Sequence, residues 1–132
     1  MKESFDKESK NALINYRIER AYETLKEAQY NADGDFYVAA INRMYYACYY
    51  AVIALLLKHE IAAQTHSGVR SMFGLHFVSK GIVSKEDGKT FNDLFEKRHS
   101  GDYDDFVICD KEMVEHLLPK AKHFIDTISE LI

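Results

Sequence analysis

Glycine and proline are scarce in this 132-residue chain, six and one respectively, far less turn material than a β-sandwich of this length would need. Helices are the economical reading. Cysteine is nearly missing: Cys48 and Cys109 stand alone, without the CxxC or Cys/His spacing of a zinc site. Cys48 lies in an apolar run and reads as a small buried thiol. The histidines, at 59, 66, 76, 99, 116 and 123, are scattered and form no HExxH, so neither a metal nor a cofactor is expected. An excess of positive charge is also missing. The formal net charge of −4 argues against general affinity for nucleic acid or anionic membrane, because Lys and Arg drive phosphate binding. A local basic pocket stays compatible with it. No signal-peptide core follows the polar start MKESFDKESK. The one stretch apolar enough for a membrane, Val38 to Leu57, carries Asn42, Arg43 and several tyrosines, and charge in lipid is costly. It reads as a buried core helix, and a cytoplasmic protein without a membrane span is expected.

What is present fits one domain over residues 1–132, with a loose polar segment at 1–8. Hydrophobic residues at 47% and charged ones at 29% are those of a globular chain, not a disordered one. From Leu13 to Ala32 the apolar residues form one helical stripe, including Ile14, Ile18, Ala21, Leu25 and Ala28. Asp33-Gly34-Asp35 ends it, with Gly34 suited to the left-handed position and Asp35 to capping the next helix. The second helix, about Phe36 to His59, is apolar nearly all round and belongs at the centre of a bundle. A shorter helix is predicted from Ser67 to Lys80, stopped by Gly81. Ser84-Lys85-Glu86-Asp87 resembles a capping box that opens a fourth. His99 to Cys109 reads as a polar break, and Asp110 as the cap of a last helix that Pro119 kinks. An all-α, up-and-down bundle of four to five helices follows.

The most informative residue is Arg43, a charge inside AAINRMYYACYYAV. A buried guanidinium keeps its charge and demands a partner, preferably a carboxylate. Helical spacing puts Tyr46 on its side, with Asn42 on the adjoining face. The second feature is the run Arg98-His99-Ser100-Gly101-Asp102-Tyr103-Asp104-Asp105, a cation, a histidine and carboxylates at a helix end. Asp102 is the expected partner of Arg43 or Arg98. The same residues also fit a buried polar network that fixes helix register without catalysis, and the tyrosines fit core packing.

The run Ala39-Ala40-Ile41-Asn42-Arg43-Met44-Tyr45-Tyr46-Ala47 resembles the central-helix signature of an uncharacterised branch of the HEPN domain family. Thr65-His66-Ser67-Gly68-Val69 and Arg98-x-x-x-Asp102-Tyr103 fall where that branch carries its other two marks. The resemblance implies a HEPN-like bundle, commonly a homodimer, and frequent association with a separately encoded nucleotidyltransferase in toxin–antitoxin pairs. In several branches it also implies a metal-independent RNase that uses an Arg and a His about four to six residues apart. There a near-neutral histidine removes a ribose 2′-hydroxyl proton, and arginine holds the charge growing on phosphate. Here that spacing from Arg98 meets Tyr103, Asp104 or Asp105 and no histidine. A phenol with pKa near ~10 and a carboxyl near ~4 are poor bases. Arg70 to His76 matches the spacing by letter, but in the third helix and away from the family's position.

Three functions remain open on the same residues. The first is an interaction module for a nucleotidyltransferase, which survives loss of the histidine. The second is an RNase using Arg98 with His66 or His99 as base and Tyr103 on phosphate. The third is a nucleotide or anion pocket built on Asn42, Arg43, Tyr46 and Asp102. A dimer interface is expected from the apolar excess of the central and terminal helices.

Overall fold

The computed structural model describes the backbone of residues 6–103 and 109–132, and the side chains of all of these except 99–103. Its helices are α1 (Lys7–Asp33), α2 (Tyr37–Lys58), α3 (His66–Phe73), α4 (Lys85–Tyr103) and α5 (Lys111–Glu130). This is the all-α bundle expected. Asp6 caps α1 by accepting the Ser9 N–H at 2.7 Å, so the helix starts at Lys7, inside the stretch read as loose. Residues 1–5 lie outside the described residues.

The turn after α1 departs from expectation by one position. The left-handed residue is Asp35 at φ 65°, while Gly34 has φ −88°. The Phe36 N–H reaches back to the Asn31 carbonyl at 2.8 Å, closing the helix end around Asp35 as its left-handed residue. A short polar side chain tolerates that conformation, and the Asp35 carboxylate accepts the Tyr37 hydroxyl at 2.9 Å instead of capping α2. Gly34 supplies room: a Cβ there would meet the Phe36 ring at 3.1 Å.

By length and composition α2 could cross a membrane, but most of its apolar window is buried inside the bundle. It packs on α1, α3, α4 and α5. Ala40, Ala47, Ala51 and Ala54 are fully buried on it, and such small residues let neighbouring helices approach closely. From α1 it receives Ile14, Ala21, Thr24 and Ala28. From the other side come Phe73, Phe91 and Phe124: the last two stack at 5.6 Å, and Phe73 meets them edge-on at 5.5 and 5.7 Å. Such pairs contribute about 1 kcal/mol each beyond area burial.

Beyond Phe73, α3 widens into a π-helical turn over Gly74–Val78, and Gly81 at φ 74° follows as the stop. Ser84 caps the next helix: the Asp87 N–H donates to Ser84 Oγ at 3.0 Å, and the Asp87 carboxylate accepts the Ser84 hydroxyl at 3.2 Å in place of the backbone N–H of a full capping box. The helix it opens runs on to Tyr103, past the break expected at His99. Gly101 costs a helix only about 1 kcal/mol relative to alanine, too little to end it. Asp110 caps α5 through the Met113 N–H at 2.9 Å, and Pro119 lies inside that helix, on its exposed side. Most apolar residues of α2 and α5 are spent on the core, while Val38 of α2 stays exposed. The large exposed apolar residues are Tyr16, Tyr30, Phe36, Val38, Leu75 and Ile82.

Candidate functional site

Tyr45, Tyr46 and Tyr49 project from α2 on neighbouring positions of one face, and three other elements close on them. The ring of Tyr45 is fully buried and stacks on Phe91 at 5.8 Å, while Tyr46 meets Tyr45 edge-on at 5.2 Å. Burial raises the pKa of Tyr45 and Tyr49, so both phenols keep their protons at neutral pH.

His66 comes to this face because Thr65 starts α3. The Gly68 N–H donates to Thr65 Oγ1 at 2.8 Å, and a Cβ on Gly68 would stand 3.0 Å from that oxygen. The sequence Thr65-His66-Ser67-Gly68 is thus a helix start that holds His66 at the first helical position. Its ring stacks on Tyr49 at 4.4 Å and meets Tyr46 edge-on at 5.7 Å. His66 Nδ1 lies 2.8 Å from the Tyr45 hydroxyl oxygen. In one tautomer the phenol donates to Nδ1; in the other Nδ1–H donates to the phenol and leaves Nε2 with a free lone pair. Burial, then the charge of Arg98, pulls the His66 pKa below its ordinary value. The imidazole is neutral at pH 7.

From α4, Arg98 Nη2 donates to the Tyr46 hydroxyl at 3.1 Å, and its guanidinium stands 5.6 and 5.5 Å from the Tyr45 and Tyr46 ring centres. Arg43 lies 5.2 Å from the Tyr46 ring as well. Two like charges therefore share one phenol ring, whose negative face stabilises each. Arg43 is not the buried charge expected, its side chain being 31% exposed. Its Nε and Nη2 donate to Asn42 Oδ1 at 3.2 and 2.9 Å, and its carboxylate partner is Glu27 of α1 at 3.5 Å. A half-exposed pair of this kind contributes little to stability. Beside it a surface hollow of about 640 Å³ is lined by Phe36, Tyr37, Val38, Asn42 and Arg43, among others.

The structure thus gathers Asn42, Arg43, Tyr46, His66 and Arg98 around a tyrosine face. The side chains of His99, Asp102 and Tyr103 lie outside the described residues, and Asp104 and Asp105 do so entirely. Sequence reasoning missed Glu27, sixteen positions before Arg43 and in another helix, and the roles of Tyr45 and Tyr49. Helical spacing from His66's eventual neighbours carried no signal for a contact across the fold. Arg70, the literal motif match, is bound to Glu96 at 3.0 Å and lies over Phe95 at 4.1 Å, while His76 sits in the π-helical turn. Among the described residues no three His, Cys, Asp or Glu side chains converge as a metal site would require.

The sequence profile of the HEPN domain matches residues 14–131. A "UPF0332 protein" of Thermotoga maritima is 41% identical over 123 residues, 93% of each chain. A Methanocaldococcus jannaschii protein named "Putative toxin MJ0142" is 35% identical over 109 residues, 83% of this chain and 74% of that one. A second protein of the same organism with the same kind of name is 31% identical over 87% of this chain and 85% of its own length. The crystal structure of TT1696 from Thermus thermophilus superposes with a TM-score of 0.77 over 90% of this chain and 98% of that one, at 17% identity. At that identity the likeness is one of fold.

Proposed function

The chain belongs to the HEPN domain family, and from that premise we propose that it is the toxin half of a toxin–antitoxin pair, acting as a metal-independent endoribonuclease through Arg98 and His66. The names of the two archaeal relatives support the toxin role. One observation carries the chemistry: a neutral histidine tied to Tyr45 stands in the field of Arg98, on a face that also holds Arg43. His66 replaces the histidine missing after Arg98.

In the proposed reaction His66 Nε2 takes the proton of a ribose 2′-hydroxyl, in the tautomer whose Nδ1–H donates to Tyr45. The 2′-oxygen attacks phosphorus, the bond from phosphorus to the 5′-oxygen breaks, the leaving oxygen takes a proton from water, and His66 returns its proton to solvent. The products are a 2′,3′-cyclic phosphate and a 5′-hydroxyl. Arg98 and Arg43 hold the phosphate oxygens as their charge grows. Tyr46, accepting from Arg98, keeps that guanidinium in place. The hollow beside Arg43 has the volume of a small-ligand site, and it accommodates a base next to the phosphate.

A separately encoded partner restrains this activity, and a nucleotidyltransferase is the partner the family resemblance implies; a homodimer is part of the same reading. The test joins two readouts. Expression of the chain alone arrests growth, and Arg98→Ala relieves the arrest. Purified protein with cellular RNA and EDTA yields cyclic phosphate ends that the Arg98→Ala variant does not. An arrest that persists in Arg98→Ala, or RNA left intact by the unaltered protein and its partner-free extract alike, contradicts the proposal. A binding-only module that holds the nucleotidyltransferase would then be the better account.

A further inference from the structure

The arginines of this chain lie on one seam, along the aromatic face of α2 and the elements beside it. Arg20 stands 5.3 Å from the Tyr50 ring, Arg43 5.2 Å from Tyr46, Arg70 4.1 Å from Phe95 and Arg98 5.5 Å from Tyr46. Glu23 lies 3.1 Å from Arg20, Glu27 3.5 Å from Arg43 and Glu96 3.0 Å from Arg70. Arg17 differs from them. It is half-buried between α1 and α2 and, among the described residues, has no carboxylate within ion-pair distance. Its Nη1 donates to the Ile53 carbonyl at 3.1 Å.

A guanidinium carries five N–H donors and keeps its charge when buried. The Ile53 carbonyl takes one of them, and the half-buried side chain leaves others facing solvent. Burial also lowers the Arg17 pKa. Arg20, one turn along α1, is raised by its bond to Tyr50. Arg17 is therefore a half-buried cation with no carboxylate on it among the described residues and with donors open to solvent, which an anion can engage.

Its position says which anion. Tyr49, one turn before Ile53 on α2, stacks on His66. Ile53, which Arg17 grips, lies about 10 Å further along α2 than Tyr46, where Arg98 is bound, at a rise of about 1.5 Å per residue. A lone phosphate does not bridge that span; a short nucleotide chain does. We propose that Arg17 is a second phosphate-binding residue, holding a flanking phosphate of a single RNA strand laid along α2, on the far side of Tyr49 and His66 from Arg98. This rests on the RNase reading above and adds the course of the substrate across the site. A single strand fits because its bases can stack on the half-buried tyrosines of α2, and its phosphates follow a line of arginines.

The test uses the full chain and two non-cleavable probes, a 2′-O-methyl RNA dinucleotide with one phosphate linkage and a hexanucleotide. The hexanucleotide binds the unaltered protein more tightly than the dinucleotide. In Arg17→Gln, which keeps a donor for the Ile53 carbonyl, that gain falls by about tenfold, the loss expected of one charge-assisted hydrogen-bond set. The salt dependence of hexanucleotide binding becomes shallower by about one. A second measurement needs no variant: the Arg17 Nε–H resonance of the unaltered protein shifts with the hexanucleotide and stays in place with the dinucleotide. If the gain with length persists in Arg17→Gln and the Arg17 resonance does not move, while Arg98→Ala abolishes binding, this inference falls and the RNase reading stands. If the unaltered protein binds neither probe, both fall together.

Discussion

The Tyr45 hydroxyl oxygen and His66 Nδ1 lie 2.8 Å apart across 21 residues of sequence, one on the central helix and the other at the start of α3. The bond ties a fully buried phenol to a half-buried imidazole. The core of the bundle thereby holds the ring of the proposed base.

Tyr45→Phe keeps the buried ring and removes this tie. RNA cleavage should fall about tenfold or more, the value of a hydrogen bond that orients a group becoming charged. Thermal unfolding should move by only a few degrees, since one hydrogen bond contributes about 1 kcal/mol. Rates and melting curves on the same preparation separate the two effects. Equal losses in both would make the bond purely structural.

The pH dependence follows from the lowered pKa of His66. The neutral base is already present below the ordinary histidine value of 6.5, so the acidic limb of the cleavage profile should fall below that pH. Arg98→Ala removes one of the two causes, and an NMR titration should find the His66 pKa raised in that variant while burial still holds it down. The linkage has a definite sign. Between the folded pKa and the unfolded value near 6.5 the unfolded state binds more protons, so stability decreases as pH falls through that window. An unaltered His66 titration in Arg98→Ala would show that the two groups do not feel each other.

Thr24 is fully buried on α1, and its Oγ1 has no hydrogen-bond partner among the described residues. A buried hydroxyl without a partner costs about 1–3 kcal/mol, and valine has nearly its shape. Thr24→Val should therefore raise stability by about 1 kcal/mol, read as a higher denaturant midpoint with an unchanged slope. A drop in the midpoint would mean that the hydroxyl is satisfied in solution.

Much of the scaffold was readable from local rules. The stripe from Ile14 to Ala28, the Ser84 cap and the Asp110 cap are properties of a few neighbouring residues, and each appears where the pattern puts it. The errors have different causes. Asp35 takes the left-handed position because the Phe36 ring needs the space over Gly34, and Arg43 finds Glu27 because α1 lies alongside α2. The first is a matter of adjacent residues between which the turn pattern alone does not choose, while the second depends on what packs from elsewhere, which no window of sequence contains. The site follows the same division. Asn42, Arg43 and Arg98 stand out as charges and amides, and Tyr46 by its spacing from Arg43, whereas Tyr45 looks like any core tyrosine until His66 is seen on its hydroxyl. Arg17 was hidden for the opposite reason, being one charge among many on a polar stretch of α1.

The central claim is that His66 and Arg98 serve one reaction centre, and single-turnover cleavage of a short RNA in EDTA tests it most directly. His66→Ala and Arg98→Ala should each reduce the rate by about 100-fold, the scale of a lost general base or charge donor. The double variant should be little slower than either, because groups acting as a unit are not additive. Cleavage by His66→Ala at the rate of the unaltered protein would contradict the account.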